Sequence, residues 1–201
     1  MSSIVLWSLF GYLLGAIPFA YLLGRIFVKQ DIRRVGDGNP GGTNTWKAGG
    51  WRIGLAAILL EIFKGFLPVA LARQCGISEG SLIPISLSPI LGHATMPFLG
   101  FRGGKALGVT GGVWVGLLGV PAFAVYFGTL ALLVILRENA WAAVFGVSLF
   151  FIWTIFLDDA LWMTILAILN ILVILWTHRR ELKTQPHLRP WLTNLFVRKG
   201  R

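Results

Sequence analysis

Cysteine is almost absent from this chain: Cys75 stands alone among 201 residues. A single thiol excludes any intrachain disulfide framework and any cysteine-rich metal site. Charge is scarce as well, at 13% Asp, Glu, Lys and Arg, where a soluble domain carries about 25%. Acidic residues are the rarest of these, eight against 18 Lys and Arg, which leaves a net charge of +10. Apolar residues fill the space, at 56% of the chain with a mean hydropathy of +0.75. That content excludes disorder and an ordinary soluble globule. It also separates the chain from soluble nucleic-acid binders, whose basic surfaces sit on more polar sequences.

The uncharged runs are long: Met1–Gly24, Gly80–Phe101, Ala106–Leu136, Asn139–Leu157 and Ala160–Thr177. About 20 residues at 1.5 Å each cross a ~30 Å hydrocarbon core, so these are candidate transmembrane helices. Ile53–Ala72 adds another, interrupted only by Glu61 and Lys64. Met1-Ser2-Ser3 carries no basic residue and the run behind it is long, so the first segment reads as a retained span rather than a cleaved signal.

Basic residues set the expected sidedness. Arg25–Arg52 holds six Lys and Arg and the tail after His178 holds seven, whereas Arg73–Glu79 holds one and the Asp158-Asp159 turn none. By the positive-inside rule the first loop and the tail face the cytoplasm. Parity then puts Arg102–Lys105 and Arg137–Glu138 inside too, so Ala106–Leu136 has to leave and return. Its 31 residues suit two short helices meeting near Gly119–Pro121. The expected architecture is an all-α integral membrane protein, a seven-helix bundle with its N-terminus outside and its C-terminus cytoplasmic. Residues 1–183 would form the membrane domain, and residues 184–201 a basic amphipathic tail. Trp191, Leu192, Leu195 and Phe196 share one face of that tail, which suits the headgroup layer. Gly108, Gly112 and Gly116 recur every four residues, a spacing that lets helices pack closely. Glu61 and Lys64 stand three apart inside a span, where pairing shares their desolvation cost. They serve either as a structural tie or as part of a polar site.

Three polar segments fall on the cytoplasmic side of this scheme. The first runs Gly36-Asp37-Gly38-Asn39-Pro40-Gly41-Gly42-Thr43-Asn44-Thr45-Trp46-Lys47. Its glycines bare backbone amides, the raw material of an anion nest, and Arg33, Arg34 and Lys47 bracket it. The second is Gly92-His93 followed by Phe101-Arg102-Gly103-Gly104-Lys105-Ala106. A Gly-Gly-Lys turn ahead of a helix offers amides, a positive dipole end and an ammonium together, without the spacing of a Walker A loop. The third, Thr177-His178-Arg179-Arg180-Glu181, closes the last span. It is either a stop-transfer cluster or a site element at the depth where an acyl chain meets a polar head. No metal-ligand cluster, Gly-x-Ser-x-Gly elbow or His-x4-Asp pattern accompanies these segments. Lacking a covalent nucleophile, such a site favours direct transfer between two bound substrates, at least one of them phosphorylated.

The motifs resemble the PlsY family, the bacterial membrane acyltransferases that join acyl phosphate to glycerol 3-phosphate. The resemblance rests on Gly15-Ala16-Ile17-Pro18-Phe19, Leu22-Leu23-Gly24, Asp31-Ile32-Arg33, Val35-Gly36, Gly38-Asn39-Pro40-Gly41, Thr43-Asn44, Leu91-Gly92-His93, Phe101–Lys105 and His178-Arg179. It implies acyl transfer to the 1-hydroxyl of glycerol 3-phosphate at the cytoplasmic face of the bacterial inner membrane, giving lysophosphatidate and phosphate. It further implies no metal or other cofactor, and no partner beyond the two substrates and membrane lipids. Lys105 and the 103–104 amides would hold phosphate, and His178 would donate to phosphate or to the developing oxyanion. Gly38, Asn39, Gly41, Thr43, Asn44, Lys47, His93 and Arg179 would bind substrate.

The chain departs from the family at defined points. The family's Gly-Ser-Gly-Asn reads Gly36-Asp37-Gly38-Asn39, its arginine aligns with Lys47, Gly-Gly-Lys-Gly has become Gly-Gly-Lys-Ala, and His-Arg-Glu-Asn reads His178-Arg179-Arg180-Glu181. Asp37 and Glu181 thus bring anions into a phosphate pocket, where a like charge at ~4 Å costs about 4 kcal/mol at an effective dielectric of 20. Lys47 or Arg180 would be the expected counterions. Asp37 joins Lys105 and His178 as a candidate catalytic residue. Three functions follow: a glycerol-3-phosphate acyltransferase with a rewired pocket, a related acyltransferase whose acceptor meets Asp37 as ligand or base, or a non-catalytic anion-binding membrane relative.

Overall fold

A computed structural model describes residues 2–131, 139–157 and 160–191. The expected Arg137–Glu138 and Asp158-Asp159 turns lie outside the described residues, as do Leu192, Leu195 and Phe196 of the tail. Eight α-helices carry the described chain, and no β-strand occurs among the described residues: α1 (Ser2–Ala16), α2 (Phe19–Leu23), α3 (Gly42–Gln74), α4 (Leu82–Thr95), α5 (Leu107–Leu118), α6 (Val120–Thr129), α7 (Asn139–Leu157) and α8 (Leu161–His178). Five helical stretches are long and apolar enough to cross a membrane: Ser3–Val28, Gly42–Gln74, Glu79–Leu99, Ala140–Leu157 and Leu161–His178. Leu9, Leu13, Leu59, Phe63, Leu149, Ile152, Phe156 and Leu172 all point outward. Such an apolar exterior is stable in hydrocarbon and not in water. The chain is an all-α, multi-pass integral membrane protein.

The uncharged first run does not form one continuous helix. Pro18 lacks an N–H and disfavours helix in the residue before it, so α1 stops at Ala16 and α2 restarts at Phe19. The break frees backbone groups, and α3 satisfies them. Lys64 Nζ donates to the Ile17 carbonyl (2.8 Å), Glu61 Oε1 accepts from Ala20 N (3.3 Å), and Thr45 Oγ1 donates to the Ala20 carbonyl (3.1 Å). Glu61 and Lys64 are buried and 2.7 Å apart, so the expected pair forms and serves as a tie across the break. The helix α3 begins earlier than the sequence suggests, absorbing Thr43–Lys47 and kinking at Gly50 (φ 77°).

Packing places small residues where helices approach most closely. Gly15 of α1 lies against the Pro89 backbone of α4, and Gly92 of α4 against the Tyr12 carbonyl of α1. Gly108, Gly112 and Gly116 face α3, with Gly112 on the Ile62 carbonyl. The run after Lys105 forms two short helices, and they meet at Gly119, whose φ of 78° with ψ of −162° is open to glycine almost alone. Pro121 then suits the first turn of α6. An aromatic core of Trp114, Tyr126 and Phe150 joins α5, α6 and α7, with ring centroids 5.1–5.6 Å apart. Its polar atoms are all satisfied: Trp114 Nε1 donates to Asn170 Oδ1 (3.0 Å), Asn170 Nδ2 to Thr110 Oγ1 (3.1 Å), and Tyr126 OH to the Leu107 carbonyl (2.9 Å).

Candidate anion-binding site

Beyond α2 the chain loosens through a π-turn (Gly24–Val28) and a 3-10 turn (Ile32–Arg34) into the glycine loop. Asp31 caps the 3-10 turn by accepting from Arg33 N (3.0 Å). Its carboxylate also takes the Arg33 guanidinium in a forked pair, Nε to Oδ1 at 2.9 Å and Nη2 to Oδ2 at 2.7 Å. Those bonds draw the Asp31 carboxyl down to about 2, against the smaller opposing effect of burial.

The loop that follows folds around Asp37. Oδ1 accepts from Asn39 N (3.1 Å) and Asn44 Nδ2 (2.8 Å), and the same Asn44 amide donates to the Asn39 carbonyl (2.9 Å). Oδ2 lies 2.6 Å from Lys105 Nζ, across 68 residues of sequence. Burial by itself would raise the Asp37 carboxyl, but the Lys105 ammonium, aided by Asn39 and Asn44, holds it down to about 2.

The Gly103-Gly104 turn presses against the end of α4. A Cβ on Gly103 would overlap the Ala94 carbonyl, and one on Gly104 would overlap the His93 ring. Gly104 N–H donates to the His93 carbonyl (3.0 Å). The end of α8 completes the site: Thr177 Oγ1 reaches the Lys105 carbonyl (3.4 Å), and Glu181 Oε2 lies 2.6 Å from Lys105 Nζ.

These three segments enclose a cavity of about 780 Å³. Arg33, Arg102, Lys105, Arg179 and Arg180 line it together with Asp31, Asp37 and Glu181, an excess of two positive charges. Of the residues expected at the site, Asp37, Gly38, Asn39, Gly103, Gly104, Lys105 and Arg179 form its wall. Six others do not. Asn44 is buried and holds the loop from behind, Gly41 caps α3, Thr43 is exposed but outside the wall, and Lys47 Nζ lies beside Gly36. His93 is buried behind the turn, with Nδ1 2.9 Å from Glu61 Oε2. His178 is also buried, and its Nδ1 donates to the Ile174 carbonyl (2.9 Å).

Two chemical expectations change accordingly. Gly104 cannot give its amide to an anion, because His93 already takes it. The counterion of both unexpected carboxylates is Lys105, not Lys47 or Arg180. Asp31, Arg33, Arg102, Arg180 and Thr177 also line the wall, although the motifs alone assign them no substrate-binding role. The Asp-x-Arg spacing next to the loop and the arginines abutting each motif were the available signals.

A membrane bundle thus gathers glycine-rich and basic segments from three parts of its chain into one polar, net-cationic cavity. The sequence matches the family described as glycerol-3-phosphate acyltransferase over residues 5–185. A glycerol-3-phosphate acyltransferase of Thermus thermophilus is 37% identical over 185 residues, 91% of this chain and 92% of that protein. One of Streptococcus pneumoniae is 35% identical, covering 97% of both chains. The crystal structure of PlsY, an integral membrane glycerol 3-phosphate acyltransferase, in its glycerol 3-phosphate form superposes with a TM-score of 0.80 at 30% identity, over 96% of this chain and 99% of that one. The lysophosphatidic acid form gives the same TM-score at 27% identity, over 90% of each chain. The chain belongs to the PlsY family of glycerol-3-phosphate acyltransferases.

Proposed function

We propose that the protein transfers a fatty acyl group from acyl phosphate to the 1-hydroxyl of glycerol 3-phosphate, releasing lysophosphatidate and inorganic phosphate. The observation that carries this reading is the net-cationic cavity where the glycine loop, the Gly-Gly-Lys turn and the end of α8 meet. In this reading the hydroxyl oxygen bonds to the acyl carbon, the carbon–oxygen bond to phosphate breaks, and the hydroxyl proton leaves with that phosphate. Acyl phosphate is an activated anhydride, so positioning and charge neutralisation supply most of the rate. Lys105, Arg102 and Arg180 hold the phosphates, and Gly38 and Asn39 form the loop side of the pocket.

Asp37 is not a base in this scheme, because a carboxyl held at about 2 accepts protons poorly at neutral pH. It keeps Lys105 in place. With Nδ1–H given to Ile174, a neutral His178 retains only an acceptor at Nε2, so donation from it requires the imidazolium. The Lys and Arg excess of the first loop and tail supports an external N-terminus and a cavity facing the cytoplasm of a bacterial inner membrane, and the parity of the loops then calls for seven spans.

A second reading has one specific observation behind it. Asp37 and Glu181 both occupy Lys105, which suits an acceptor with less negative charge than a phosphate dianion. Purified protein supplied with acyl phosphate and a panel of alcohols, amines and phosphorylated polyols decides between the two. Phosphate release that depends on glycerol 3-phosphate supports the first reading, dependence on a different acceptor supports the second, and silence with every acceptor removes both.

A further inference from the structure

The buried group Glu61, Lys64 and His93 lies one layer behind the cavity and takes no part in the reaction above. Its connections run in two directions. Toward the first span, Lys64 and Glu61 hold the carbonyl and amide released by Pro18. Toward the cavity, Glu61 Oε2 touches His93 Nδ1 at 2.9 Å, and His93 meets Gly104 twice. Its carbonyl takes the Gly104 N–H, and its ring stands where a Gly104 side chain would grow. Glu61 Oε2 lies 2.7 Å from Lys64 Nζ and 2.9 Å from His93 Nδ1, so one buried carboxylate, set by Lys64, holds the imidazole against α3. The Gly103–Lys105 turn precedes α5 and has no helix of its own to stiffen it.

We infer that His93, anchored by Glu61, is a positioning residue that fixes the Gly103–Lys105 turn in its anion-binding shape. The inference rests on the reading of that turn as a phosphate site. Lys64 orients Glu61, Glu61 orients the imidazole, and the imidazole forms the back wall of Gly104. The Pro18 break and the phosphate turn thus share one buried support. A side chain at position 104 would project into His93 and away from the cavity. Damage from Gly104→Ala is therefore transmitted by the ring, and deleting the ring should erase it.

The test is a double-mutant cycle read as affinity for inorganic phosphate, measured on purified protein in detergent. Gly104→Ala and His93→Ala are each expected to weaken phosphate binding about tenfold, and the double variant to bind no more weakly than His93→Ala alone. Ile90→Ala, a core truncation in the same helix, should lower Tm while leaving phosphate affinity within about twofold. If His93→Ala does not fold, His93→Ser, which also removes the ring, reads the same coupling. Multiplying effects in the double variant, an Ile90→Ala loss equal to that of His93→Ala, or a wild type that does not bind phosphate would each overturn the inference. Turnover of acyl phosphate with glycerol 3-phosphate, followed in parallel, tests the reaction separately. Coupled phosphate binding without turnover removes the assigned reaction and leaves the positioning role standing.

Discussion

Replacing Asp37 with serine should tighten the hold on a phosphorylated acceptor. Lys105 Nζ sits 2.6 Å from both Asp37 Oδ2 and Glu181 Oε2, so its charge is already spent twice. A phosphate docking on the same nitrogen would lie roughly 5 Å from the Asp37 carboxylate, where unit charges repel by about 3 kcal/mol at an effective dielectric of 20. The Asp37 side chain is 43% exposed, and solvent screening reduces that to about 1–2 kcal/mol. Removing it lowers KM for glycerol 3-phosphate by roughly five- to thirtyfold. An opposing effect falls on the loop: Asp37 Oδ1 holds both Asn39 N and Asn44 Nδ2, and a serine hydroxyl replaces one of these bonds. The lost bond is worth about 1 kcal/mol, or 2–4 °C in Tm for a chain of this size. The assay is phosphate release against glycerol 3-phosphate concentration, with unfolding followed by tryptophan fluorescence. An unchanged or higher KM would show that Asp37 does not compete for Lys105. A collapse of kcat would make the carboxylate part of the chemistry and refute the reasoning outright.

The remaining predictions concern stability. A carboxyl held at about 2 when folded stabilises the loop fully above its unfolded value and loses that contribution as pH falls toward about 2. The Tm difference between wild type and Asp37→Asn should therefore stay flat between about pH 6 and 8 and shrink only in acid, and a change across neutrality would contradict the assignment. Glu61→Ala strands the Lys64 ammonium in the bundle and should destabilise the protein by about 3–5 kcal/mol, seen as loss of monodisperse protein on size-exclusion chromatography. An unshifted elution profile and Tm would show that the tie across Pro18 is dispensable. Gly119→Ala forces a side chain into a backbone region reserved for glycine and should lower stability by about 1–3 kcal/mol without altering KM. A change in KM there would mean that the hairpin tip reaches the cavity.

Much of the framework was readable from residue order. Uncharged runs mark the long helices, and the Gly119–Pro121 junction marks the hairpin, because hydrocarbon length and glycine's backbone freedom act locally. The three site segments stood out for the same reason, since glycine clusters beside basic residues are visible in one dimension. The contacts that organise the site were not. Lys105 meets Asp37 across 68 residues, and His93 meets Glu61 across a helix pair, so their partners depend on packing. His93 and Asn44 carry the polar chemistry expected of ligand-binding residues, yet tertiary structure turns both inward to support loops. The interruption at Pro18 was hidden for a different reason: an uncharged run looks the same whether it forms one helix or two.

The tie that α3 makes to α5 has a consequence for how the molecule is built. The helix α5 has 12 residues, a rise of ~18 Å against a hydrocarbon thickness of ~30 Å. Its last carbonyls, on Gly116 and Leu117, are met by the Arg73 guanidinium of α3. A segment this short gains little by partitioning into lipid unaided. The end of α5 therefore depends on its protein neighbour α3, rather than on lipid, to satisfy its last carbonyls.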